Sequence, residues 1–311
     1  MTSVATRHPT RSARFGGWLD GLIGMTIFSA SLPATRVAVL GFDPLFVTVA
    51  RAAIAGALAM GLLRLTRASW PRRTDLAGVL VVAGGVVVGF PLFTALALRH
   101  VTSAHAIVFL GLLPLSTALF AVFRAHERPP VAFWAFALAG AALVGGYAIA
   151  AGGTDLAGDA LMVAAIIVCG LGYAEGGRLS RHLGGLAVIC WALVLSLPLS
   201  APLALLLSPR SLAGVGWPAV AGLAYVSVFS MLVGFVFWYR GLALGGVAAV
   251  GQLQLVQPFL ALILAATLLG EMVSPAMLLV LAGVVVCVGG TRRFATVPKS
   301  VTVLEIEEVL P

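Results

Sequence analysis

Residues 239–271 read YRGLALGGVAAVGQLQLVQPFLALILAATLLGE, an apolar run with a proline, Pro258, at its middle and a glutamate, Glu271, closing it. A glycine pair, Gly289-Gly290, follows. The same landmarks stand earlier in the chain at a constant displacement: Pro114, Glu127 and Gly145-Gly146. Without a gap, Gly78, Phe93, Leu98 and Ala104 also fall in register with Gly222, Phe237, Leu242 and Ala248. The chain therefore carries an internal repeat. Around it lie apolar segments near the length of about 20 residues that a helix needs to cross a bilayer. They are 17–38, 44–65, 76–97, 102–123, 131–150, 157–177, 186–207, 216–238, 244–268 and 275–291. Breakers or charges mark their ends, among them Asp43-Pro44, Trp70-Pro71-Arg72-Arg73, Pro129-Pro130 and Ser274-Pro275.

Composition agrees. At 61% hydrophobic and 10% charged, with a mean hydropathy of +1.10, the chain has too little polar surface for a soluble globule. Lipid leaves each backbone N–H and C=O to be satisfied within its own segment, so an all-α membrane bundle is expected. The charges give a direction. Of 19 Lys/Arg, only Arg36, Arg99 and Arg210 fall on one side of the implied membrane and Arg51 falls inside a segment; all the others fall on the opposite side. That side is cytoplasmic by the positive-inside rule. Both basic tails, residues 1–16 and 292–311, belong to it, as an even number of crossings requires. Each copy of the repeat, 17–150 and 157–291, holds an odd number of segments. The second therefore enters the membrane from the opposite face, and the repeats are inverted. The net charge of +8 comes from juxtamembrane loops that suit topology and anionic headgroups, so nucleic acid is not an expected partner. Asp20 and the apolar run continuing past Pro33 argue for an uncleaved first helix over a signal peptide. The cysteines Cys169, Cys190 and Cys287 sit in apolar segments without ligand spacing, so no metal or cofactor is expected.

The chain resembles the drug/metabolite transporter superfamily, specifically its EamA-type family. The likeness rests on Val-Ala-Arg51-Ala-Ala-Ile-Ala, on Pro114 followed by Glu127, and above all on residues 239–271, and it covers roughly 18–291. Two features depart from the pattern: the first glutamate stands in Arg-Ala-His-Glu127-Arg rather than Leu-Gly-Glu271, and the fourth segment carries His105. The resemblance implies a carrier in the plasma membrane that exports or exchanges small metabolites, often amino acids.

Ionisable groups inside a bilayer are costly and point to function. Arg51 is too deep to snorkel and should face the bundle interior, either bonding a neighbouring helix or meeting a substrate carboxylate. Pro33, Pro114 and Pro258 are expected kinks, since proline removes a backbone bond and frees a carbonyl. Beside the last of them Gln254 and Gln257 lie about 60° apart on the helix and can share a cavity; the alternative is interhelical bonding. His105 belongs to the residue type that titrates near neutrality, so a proton gate or relay stands beside a simple carbonyl bond. Tyr173 and Tyr225 are candidate pocket aromatics, whereas Trp238 reads as an interfacial anchor. Glu175 is expected to pair with Arg178 or Arg181. Glu127 and Glu271 lie in tight turns, where a carboxylate can cap the next helix.

Alternating access through inverted repeats, with the site near the midplane, is the architecture this pattern favours. No Walker loop is present, so coupling must come from a gradient or exchange. An enzyme acting on lipids would need clustered acidic residues or histidines, and here they are scattered. A sugar-phosphate or nucleotide-sugar carrier would need several cavity cations, and only Arg51 is available at depth.

Overall fold

A computed structural model describes residues 11–125, 130–150, 155–211, 214–245 and 251–294 of the chain. Among these the regular structure is entirely helical. Eight helical runs are long and apolar enough to cross a membrane: Phe15–Gly41, Pro44–Leu65, Arg73–His100, Ser103–Phe123, Val131–Ala150, Leu156–Ser180, Gly185–Leu206 and Trp217–Gly241. Two shorter apolar helices, Leu253–Leu269 and Pro275–Gly290, follow. The first helix begins at Arg11, inside the stretch assigned to the N-terminal tail, because no glycine or proline interrupts Arg-Ser-Ala-Arg-Phe. The last runs on to Phe294, past the assigned start of the C-terminal tail.

The starts follow local chemistry. Asp43 caps Pro44–Leu65 by accepting from the N–H groups of Leu45 (2.8 Å) and Phe46 (3.4 Å), with Pro44 at the first helical position. Asp155 likewise accepts from Gly158 N–H (3.2 Å) at the head of Leu156–Leu183.

Three breaks fall just ahead of the prolines named above. Helix Arg11–Ser29 stops at Ala30 and resumes as Ser31–Gly41, which contains Pro33. Helix Ser103–Leu110 stops at Gly111-Leu112 and resumes as Leu113–Ala125, with Pro114 second in it. The 3-10 turn Gly251–Leu255 stops at Val256 and resumes as Gln257–Leu269, with Pro258 second in it. The last two breaks each leave the proline at the second position of the resumed helix. The reason is common: the proline ring strikes the carbonyl four residues back, so the ladder is lost over that turn.

Two wide π turns depart from the plain helices expected of the sequence. One, Ala83–Gly89, lies inside Arg73–His100 just ahead of Pro91, where the wider turn relieves the clash with the Val87 carbonyl. The other, Tyr225–Val233, lies at the corresponding place in Trp217–Gly245 and has no proline behind it. There the Ser227 hydroxyl donates to the Leu223 carbonyl (2.6 Å) and competes with the ladder.

Phe15–Gly41 packs chiefly on Trp217–Gly245, and Arg73–His100 on Leu156–Leu183. Pro44–Leu65 packs on Gly185–Leu206, and Val131–Ala150 on Pro275–Phe294. Exchanging the helices before residue 150 with those after it, in order, leaves this set of pairings unchanged. Small residues set the spacing. A Cβ on Gly241 would lie 2.7 Å from Gly21 N and 2.9 Å from Gly17 O, backbone that has nowhere to move. Gly241→Leu is therefore expected to abolish the monodisperse species on size exclusion in detergent; an unchanged elution profile would refute this packing. The same closeness buries Trp238 and Tyr239, which are 2% and 1% exposed, so Trp238 is no interfacial anchor. A Cβ on Gly24 would come within 2.9 Å of Trp238 N, so the first helix covers a position that would otherwise face lipid.

Candidate functional site

The apolar interior divides into two clusters. One holds Leu32, Leu110 and Cys169 toward the Glu271 end of the bundle; the other holds Phe28, Val86 and Phe235 toward the Arg240 end. Tyr173 packs against both. A cavity lies at their junction, and its polar lining comes from Ser31, Arg51, Tyr173, Ser230 and Gln257. Its apolar walls include Phe28, Leu32, Phe90, Met231 and Phe235. It is narrow: the free volume is about 30 Å³, room for one or two waters.

The prolines and wide turns shape this hollow. Ser31 follows the Ala30 break, Val86 lies in the first π turn, Phe90 and Pro91 follow it, and Ser230 and Met231 lie in the second. Leu113 and Gln257 open the helices after their respective breaks, each immediately ahead of a proline. Irregular backbone at this depth is tolerated where it lines a cavity.

Arg51 is 4% exposed. Its Nη2 donates to Ser230 Oγ at 3.2 Å, and Ser230 Oγ lies 2.7 Å from Ser31 Oγ. Its Nε has no hydrogen-bond partner, and no ion pair to Arg51 is seen among the described residues. A buried guanidinium with spare donors can accept a carboxylate in a forked geometry. Tyr173 stands edge-on to Phe235, with ring centroids 6.1 Å apart.

The cavity thus brings together Arg51, Tyr173 and Gln257 of the sequence-read candidates. Gln254 is buried but is not part of the lining. Tyr225 is also outside it: its hydroxyl donates to the Ile27 carbonyl (2.8 Å), which also accepts from the Ala30 N–H (3.3 Å), and its ring stacks on Phe229. His105 lies at the Glu271 end, 2.7 Å from Asp159, and not on a carbonyl. Glu271 does cap a helix, though not the next one. It accepts from the N–H groups of Ser103 (3.1 Å) and Ala104 (2.6 Å) and from the Ser103 hydroxyl (2.7 Å). Gly270, in the left-handed conformation (φ 64°), ends Gln257–Leu269 and delivers it there. Glu127 lies outside the described residues. Glu175 pairs with Arg178 at 2.7 Å, as expected. Ser31 and Ser230 are absent from the sequence-read candidates; hydroxyls inside apolar runs are the only signal they offer. The three cysteines are buried and unbridged.

A multi-pass helical membrane protein with a polar pocket at the meeting point of its two interior clusters is the class these features define. The EamA-like transporter family model matches it twice, over residues 16–149 and 156–292. The chain belongs to the EamA-like transporter family. It is 62% identical over 280 residues to the "Uncharacterized transporter YdeK" of Bacillus subtilis, covering 90% of this chain and 98% of that protein. It is 28% identical over 295 residues to the "Probable terminal-alkyne amino-acid exporter" of Streptantibioticus cattleyicolor, covering 89% and 96% respectively. A solved crystal structure shares the fold with a TM-score of 0.61 at 21% identity, over 91% of this chain and the whole of that one.

Proposed function

We propose that this transporter is a secondary carrier of the bacterial plasma membrane. It exports or exchanges amino acids and similar small carboxylates by alternating access. Ten crossings, arranged as inverted repeats over 17–150 and 157–291, leave both termini in the cytoplasm. The Arg240 end then faces the cytoplasm and the Glu271 end the exterior.

One observation carries the cargo class: Arg51 is buried beside a cavity with unused donors and no carboxylate paired to it among the described residues. A cargo carboxylate would complete it. Gln257, the Tyr173 ring and nearby hydroxyls offer neutral polar contacts to an ammonium group, while Phe28, Phe90, Met231 and Phe235 favour an apolar side chain. The resemblance to a protein named as a probable amino-acid exporter supports the same class. A phosphate-bearing cargo would call for further cations, and Arg51 is the one guanidinium in this lining. The recurrence of the proline breaks and the exchange-invariant helix pairing support the inverted repeat. The narrowness of the hollow fits a state closed to both sides, which must widen to admit cargo.

Counterflow in proteoliposomes tests the reading. Neutral amino acids with apolar side chains should give saturable flux that other members of the set compete, while the corresponding decarboxylated amines should neither move nor compete. Equal competition by the amines would sink the carboxylate reading.

A further inference from the structure

The turn His100-Val101-Thr102-Ser103-Ala104-His105 is gripped by carboxylates that all come from beyond residue 150. His100 Nδ1 lies 2.9 Å from Asp155, and His105 Nε2 lies 2.7 Å from Asp159. Glu271 holds the N–H groups of Ser103 and Ala104 between them. Gly158, flanked by the two aspartates, sits so close that a Cβ there would meet Val101 Cγ1 at 2.8 Å and His100 Cβ at 3.0 Å. The later half of the chain thus clasps the earlier half at this end.

The two His–Asp pairs differ in cover. Side chains of the His100–Asp155 pair are 43% and 31% exposed, those of His105–Asp159 only 16% and 13%. The His105 ring also packs on Tyr147 and Phe109, with centroids 5.2 and 5.7 Å away. The Tyr147 hydroxyl lies 3.4 Å from Nδ1. Both ring nitrogens therefore face groups that suit either protonation state. Asp159 accepts from Nε2–H throughout, and the Tyr147 oxygen either donates to a bare Nδ1 or accepts from Nδ1–H.

We infer that the covered His105–Asp159 pair is a proton-binding site that latches the two halves of the chain together at the Glu271 end. When the ring gains a proton, an ion pair with little screening spans the seam; when it loses one, only a hydrogen bond from a neutral imidazole to the carboxylate remains. The ring itself meets Asp159 from Leu156–Leu183 and Tyr147 from Val131–Ala150, while the other titratable groups on this turn are His100 with Asp155, and Glu271 from the turn before Pro275. The arginines on this side of the membrane are Arg36, Arg99 and Arg210, and the Arg36 Nη1 donates to the Leu98 carbonyl. Asp155 is held below the usual carboxylate range, first by Gly158 N–H and, against the opposing effect of burial, by His100, so it remains charged while an imidazole titrates. The protonated ring binds its carboxylate more strongly, so the latch is complete at acid pH and loosens as pH rises. Under the orientation proposed above, and only under it, an external proton would close the outer face after cargo has left.

Spin labels on Arg99→Cys and Leu156→Cys, both exposed and on opposite sides of the seam, read the latch in nanodiscs without any cargo. The longer-distance population should grow at least about threefold between about pH 5.5 and pH 8.5. His105→Gln and Asp159→Asn should each flatten that response, while His100→Gln should keep it. A wild type whose distances ignore pH, or a response that survives in both His105→Gln and Asp159→Asn, overturns the proposal. Loss of the response in His100→Gln alone also overturns it, because the exposed pair would then be the sensor. A carrier that moved no amino acid would still answer this test, so its failure is distinct from failure of the transport reading.

Discussion

Replacing Arg51 with methionine is expected to cut amino-acid counterflow by about tenfold to a hundredfold while leaving thermal stability unchanged or higher. The flux loss corresponds to about 1.5–3 kcal/mol for a hydrogen bond to a charged partner. The stability result follows from the environment of the guanidinium. It is desolvated, its Nε is unsatisfied, and Ser230 is its single hydrogen-bond partner among the described residues. Burying an uncompensated charge is costly, and an apolar side chain of similar volume removes that cost. Arg51→Lys should recover part of the flux, since charge survives while the planar fork is lost. Thermal unfolding of detergent-solubilised protein and counterflow are the two measurements. If the methionine variant melted well below wild type, Arg51 would be holding the bundle together rather than waiting for cargo.

Glu271→Ala is expected to give the largest loss of stability among the polar substitutions, about 3–6 kcal/mol. Three donors lose their acceptor at once, and Ser103 and Ala104 are both 0% exposed, so water cannot replace it. The carboxylate also sits at the positive end of helix Ser103–Leu110. Glu271→Gln keeps the shape and one acceptor oxygen, so it should fall between alanine and wild type. An alanine variant unfolding at the wild-type temperature would show that the cap contributes nothing.

Local chemistry is what the sequence makes legible. Proline acts on its own turn, so Pro114 and Pro258 announce their breaks, and Asp43-Pro44 announces a helix start. Pro91 carries the same chemistry, but its result is a widened turn upstream at Ala83–Gly89 instead of a break. The matching turn at Tyr225–Val233 has only the Ser227 hydroxyl as a clue. Capping by Glu271 is readable from residue type and setting, but its target helix lies 168 positions away in the chain. Likewise Arg51 is visibly too deep to reach water, whereas its bond to Ser230 spans a separation of 179. Trp238 misleads because an aromatic at a segment end looks the same whether lipid or Gly24 lies against it. Depth, breaks and charge are local properties; partners are not.

A lone guanidinium polarises the hollow. A fully twofold wall would let a guest lie in either of two head-to-tail senses with equal ease. Arg51 is the one charged side chain among the described lining residues, so the two ends of the site are unlike. A guest steered by its anionic head would keep a single sense throughout the cycle, and the site would take one guest at a time.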